Sequence, residues 1–226
     1  MGCTQSIVCK EPTKTRNEDK LCKTGNFKTK SQSQEDGTAL MTYKLFYSCY
    51  DDVNLFGKEF VGRYKDRCKM LIHGQEYEIL GYIKKWECEK YGINEQDEIL
   101  EVVLKAKGIT DMSWMFCGCR SLTQLDLSSF DTQNVTSMKW MFCGCENLIK
   151  LDLSSFKTQN VTSMGWMFYK CKSLIKLDLS SFNTQNVTSM YEMFYGCKSL
   201  IKINLGRKGF NKTKRESSKL PPIIEV

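Results

Sequence analysis

Histidine is almost absent from this chain of 226 residues, with a single copy, His73. Imidazole is the usual general base and a common metal ligand near neutral pH. One copy, in a predicted hairpin loop with no motif around it, builds neither. The motifs G-x-S-x-G and H-E-x-x-H and any glycine-rich phosphate loop are missing too. No catalytic residue, metal ligand or cofactor is therefore assigned, and a non-enzymatic protein is expected. Long apolar runs are also lacking. None reaches the roughly 20 residues that cross a bilayer, and residues 1–40 hold no run beyond Ile7-Val8-Cys9. That excludes a secretory signal core from this N-terminus and points to a chain that is not exported by that route. Excess charge is missing from the body. The net charge is +7, but residues 1–34 carry seven Lys/Arg against three Asp/Glu, and residues 206–226 carry six against two. The remainder is close to neutral, without basic patches interleaved with aromatics, so nucleic acid is not an expected partner.

What is present is a period of 26 residues. Residues 109–134, 135–160 and 161–186 align without a gap, and a fourth copy runs from 187 to 205. Such periodicity predicts stacked units, none of which buries its apolar face alone. Within a copy, Leu122-x-x-Leu125-Asp126-Leu127 alternates as a strand does, and stacked copies would form a parallel sheet. Phe130 turns inward at a corner, Thr132-Gln133-Asn134 is turn chemistry, and Val135 re-enters the core. Met138, Met141, Phe142 and Cys145 follow at i, i+3, i+4 and i+7, the spacing of one face of a short helix. The phenylalanines 116, 142, 168 and 194 and the methionines 115, 141, 167 and 193 should each form a ladder.

The motif L-x-x-L-D-L-S-S-F-x-T-Q-N-V-T-S-M-x-W-M-F-x-x-C, carried by about 100 residues, resembles the BspA-like leucine-rich-repeat proteins of bacteria, mycoplasmas and protists. The resemblance implies an α/β leucine-rich-repeat solenoid, one parallel strand and one short helix per turn, with surface or interaction roles and no known enzymatic activity. The expected organisation is a basic N-terminal tail (1–40), a small α+β cap domain (41–97), the solenoid (98–205) and a basic C-terminal tail (206–226). Cys68–Ile72 and Glu76–Leu80 flank His73-Gly74-Gln75 as a hairpin. Ile99-x-x-Val102-x-Leu104 reads as a degenerate first repeat strand that covers the open sheet edge. Whether the tail folds back over Leu205 stays open.

The opening Met1-Gly2-Cys3-Thr4-Gln5-Ser6 matches the N-myristoylation pattern, with Gly2 the myristate site and Cys3 placed for palmitate. Two acyl chains would hold the protein at a membrane. Trp114, Trp140 and Trp166 share one repeat position off the buried face. They read either as a contact patch, since tryptophan is enriched at hot spots, or as half-buried packing between turns. Asp126, Asp152 and Asp178 form one exposed column of the strand face, and Lys150, Lys176 and Lys202 another. They read as a solvated mixed-charge sheet or as a face for a charged partner.

Twelve cysteines are present. Cys119, Cys145, Cys171 and Cys197 recur as a buried thiol ladder. Cys117 and Cys143 complete two C-G-C pairs, but adjacent helix positions point apart and C-x-C is not the usual zinc spacing. In a reducing cytosol disulfides are not expected. Asn134, Asn160 and Asn186 begin glycosylation sequons, as does Asn211. Without export they read as a stacked row that satisfies turn backbone. Together these residues predict a monomeric protein-interaction scaffold, lipid-anchored at the cytoplasmic face of a eukaryotic membrane, the plasma membrane foremost. The alternatives are an extracellular BspA-like adhesin or a thiol- or zinc-dependent regulatory subunit.

Overall fold

A computed structural model of the chain describes residues 38–44, 52–94, 97–205 and 218–219. All of them lie in one compact unit, Gln34–Val226. The strands are β1 (Thr38–Lys44), β2 (Val53–Asn54), β3 (Cys68–Ile72), β4 (Gln75–Glu78), β5 (Tyr82–Ile83), β6 (Ile99–Ala106), β7 (Leu122–Asp126), β8 (Lys176–Leu179) and β9 (Lys202–Leu205). One α-helix, α1 (Lys58–Tyr64), and one 3-10 helix (Lys85–Tyr91) complete the regular elements among the described residues.

The main sheet has the order β4-β3-β6-β1-β7, and every pairing in it is antiparallel. The hairpin β3–β4 forms where the sequence placed it. Its two-residue turn sets His73 at φ 50 and Gly74 at φ 80, the pair of positive angles that a tight hairpin needs. Alternation in β3 buries Cys68, Met70 and Ile72, as period 2 requires of a half-buried strand. β6 is not a first repeat strand. It is the centre of the antiparallel sheet, paired with β3 and β1. The edge of β7 is covered by β1 instead, with Met41 opposite Leu125.

The expected leucine-rich-repeat solenoid of strand-plus-helix turns does not form. Among the described residues the second copy contributes no named strand, only β8 and β9 of the named strands pair in parallel, and the copies are otherwise joined by single parallel bridges at Asp111, Ser137, Ser163 and Ser189. The predicted helix through Met138, Met141, Phe142 and Cys145 is a run of turns. The reason lies in the backbone. Trp114, Trp140 and Trp166 have φ of 67, 62 and 57, and Gly118, Gly144 and Lys170, four residues on, have 79, 73 and 57. Two left-handed residues four positions apart in each copy stop a right-handed helix. The N–H groups freed in this way point along the stack. Met138 donates to Ser163 O, Trp140 to Gly165 O, Phe142 to Met167 O and Gly144 to Tyr169 O, at 2.8–3.1 Å, and the preceding and following copies repeat the pattern. The sequence period thus survives as hydrogen-bond register and a repeated parallel bridge, not as strand-plus-helix turns.

The core follows that register. Phe116, Phe142, Phe168 and Phe194 stack at 5.6–5.7 Å within 8° of parallel. Phe56, from the segment before α1, extends the row at 6.0 Å from Phe116. That end is closed by Gly57 N–H donating to Met115 O and by the Cys119 thiol donating to Leu55 O. Gly57 is obligatory, because a Cβ there would stand 1.8 Å from the Trp114 carbonyl oxygen. At the other end the Phe194 N–H finds the carbonyl of Ser218, a buried residue of the C-terminal segment.

Candidate functional site

The left-handed backbone at the three tryptophans turns their side chains out of the core and onto one side of the stack, where each is half-buried. Trp114 and Trp140 lie 4.9 Å apart at 8°, and Trp140 and Trp166 lie 4.7 Å apart at 7°. Stacking covers both faces of Trp140 and the inner faces of Trp114 and Trp166. Tyr191 packs edge-on against Trp166 at 5.1 Å, and Lys139 lies over the same ring at 5.2 Å. Glu192, which breaks the tryptophan column, accepts the Trp166 Nε1 proton at 3.3 Å. Beside this row Tyr169 and Tyr195 stack at 5.5 Å, and Tyr169 meets the Trp140 edge at 5.9 Å. Tyr191 and Tyr195 are about half exposed, at 48% and 49%. The rings thus pack between copies, and their outer edges line up as an aromatic ridge. The tyrosines were not singled out from sequence. The recurrence of tyrosine at 169 and 195, three residues after the tryptophan position of each copy, was the available signal.

The charged columns behave differently. Asp152 and Asp178 are exposed, and each turns a carboxylate oxygen to the N–H two residues on, at Ser154 and Ser180. Asp126 does the same with Ser128. The side-chain and backbone hydrogen bonds of Ser180 hold Asp178 below the ordinary carboxylate value. These carboxylates shape turns. Lys150, Lys176 and Lys202 are exposed, and Lys176 and Lys202 stand opposite each other across β8 and β9. Gly2 and Cys3 lie outside the described residues.

The recurring cysteines are a buried ladder. Cys145, Cys171 and Cys197 each donate to the carbonyl of the preceding copy's phenylalanine, at 3.0–3.1 Å. Burial, the largest cause, pushes Cys145 and Cys171 well above the usual thiol value. Cys117 and Cys143 lie apart from that row, half-buried, and interaction with the Cys143 side chain holds Cys117 below the ordinary thiol value. The members of each C-G-C pair thus occupy different environments. No group of three or more metal-ligating side chains occurs among the described residues. Asn160 and Asn186 donate through Nδ2 to Gln133 O and Gln159 O, at 2.8 and 2.7 Å, so the row does satisfy turn backbone.

A family model described as "Mycoplasma protein of unknown function, DUF285" matches residues 94–207. No curated protein and no solved structure matches the chain. The expected BspA-like leucine-rich-repeat assignment gives way to this family, in keeping with the absence of strand-plus-helix turns. The eukaryotic cytoplasmic-face, acyl-tethered scaffold is corrected on the same ground, since the matched family is named for a Mycoplasma protein. Among the described residues no helix is long and apolar enough to cross a membrane. The match takes in half of the chain and all four copies, and the chain belongs to the DUF285 family of Mycoplasma-type proteins of unknown function.

Proposed function

We propose that this chain is a non-enzymatic surface protein, of adhesin type, that binds a protein partner along its aromatic ridge. The observation that supports this reading is the left-handed backbone kept at Trp114, Trp140 and Trp166. A residue with a Cβ costs about 1–2 kcal/mol in that region, and strain of this kind concentrates at functional sites. Here it presents a row of indole edges. A sugar ring or a nucleobase needs an open aromatic face, and four of the six indole faces here are stacked on each other. A side-on apolar and hydrogen-bonding surface suits a protein partner, for which Trp and Tyr are favoured anchors. The family match favours the surface alternative over the cytoplasmic scaffold. The protein is read as a monomer with no nucleic-acid role.

Two measurements test it. Protease applied to intact source cells should cut the chain, whereas protection until lysis would contradict a surface location. Against a partner identified by proximity labelling, the double variant Tyr191→Ala/Tyr195→Ala should weaken binding by about tenfold or more with little change in melting temperature. Unchanged affinity would remove the ridge from the account.

A further inference from the structure

The column that carries Tyr169 and Tyr195 in the third and fourth copies carries Cys117 and Cys143 in the first and second. The backbones of these two cysteines are locked side by side. Phe116 N–H donates to Met141 O at 2.8 Å, and Gly118 N–H donates to Cys143 O at 2.7 Å, so the two bonds bracket Cys117. Segments joined in this way run about 4.8 Å apart, inside the roughly 4.4–6.8 Å between Cα atoms that a disulfide spans. Both thiols are half-buried, unlike the fully buried thiols of Cys119, Cys145 and Cys171. Nothing lies within 4 Å of the place a Cβ would take on Gly118, which leaves the flank of the pair open. Interaction between the two side chains holds Cys117 below the ordinary thiol value while pushing Cys143 up. Of the two thiols, Cys117 is therefore the one that deprotonates more readily.

We infer that Cys117 and Cys143 are a redox modification site, a reversible disulfide that joins the first and second copies, formed by exchange with a small disulfide such as oxidised glutathione. The Cys117 thiolate attacks one glutathione sulfur, and the S–S bond breaks. One glutathione thiolate leaves, and Cys117 carries a mixed disulfide. Cys143 then gives its proton to solvent and attacks the Cys117 sulfur, expelling the second glutathione thiolate. Two protein thiols are oxidised, and one glutathione disulfide is reduced to two thiols. The ladder of buried thiols stays reduced, because each is enclosed and engaged with a carbonyl.

The test is a titration of the reduced full chain with oxidised and reduced glutathione, followed by acid quench, alkylation and peptide mapping. The expected result is a Cys117–Cys143 link that forms before any link or adduct at Cys119, Cys145, Cys171 or Cys197. Cys143→Ser should arrest the reaction with glutathione bound to Cys117, and Cys117→Ser should leave Cys143 free of adduct. Should the serine variant fail to fold, Cys143→Tyr, which installs the residue found in the third copy, serves the same purpose. Both thiols still alkylatable at the oxidising end, or Cys117 joined to any other cysteine, would overturn the inference.

Discussion

Two opposed terms meet at Trp140. Its φ of 62 costs about 1–2 kcal/mol for any residue with a Cβ, while stacking on two neighbours stabilises by about 0.5–1.5 kcal/mol per pair. Removing the ring but keeping the Cβ loses the stacking and retains the strain. Trp140→Gly should therefore be more stable than Trp140→Ala by about 1 kcal/mol, the reverse of their usual order. Denaturant melts of the two variants check this, and the ordinary order would show that the backbone is not left-handed there. Phe142 presents the simpler case. It is fully buried between Phe116 and Phe168, so Phe142→Ala should cost about 3–5 kcal/mol in the same assay. Inside and outside were legible residue by residue, because apolar ladders follow from period and chemistry alone. The left-handed tryptophans were not legible, since propensity argues against a bulky residue there. The glycine of C-G-C was the readable sign. It supplies φ 79 at Gly118 and 73 at Gly144.

At the scale of elements, the failed expectation is the helix. Spacing at i, i+3, i+4 and i+7 reports which side chains share a face, and a chain of tight turns with N–H groups directed at the next copy meets the same requirement. Hydrogen-bond direction is not written in that pattern. The β3–β4 hairpin was legible because its turn chemistry is local. The placing of β1 between β6 and β7 was not, because it depends on pairings distant in sequence. The junction at Gly57 gives an element-scale prediction. Gly57→Ala should cost at least about 1–3 kcal/mol, as overpacking does, and Trp114→Ala should not rescue it, because the obstructing atom is a backbone oxygen. Thermal unfolding of the single and double variants checks both statements. The acidic turns give another. Asp178 has a pKa depressed first by its Ser180 side-chain and backbone hydrogen bonds. Its contribution is thus fully present above the unfolded value near 3.8 and is lost as pH falls through the lower folded value. Asp178→Asn should flatten the acid limb of the melting temperature below about pH 4, by a small amount because the group is exposed.

For the whole molecule, the central claim is that partners engage the aromatic ridge and not the charged strand face. Charge and composition could list both surfaces but could not rank them, because the ranking depends on which rings keep free edges and which carboxylates are engaged in turns. The most direct measurement places a photo-cross-linking amino acid at Tyr195 on the ridge or at Asp152 on the strand face, in the full chain applied to intact cells. The account predicts a discrete protein adduct from position 195 and none from position 152. Adducts from position 152 alone, or equal yields from both, would contradict it.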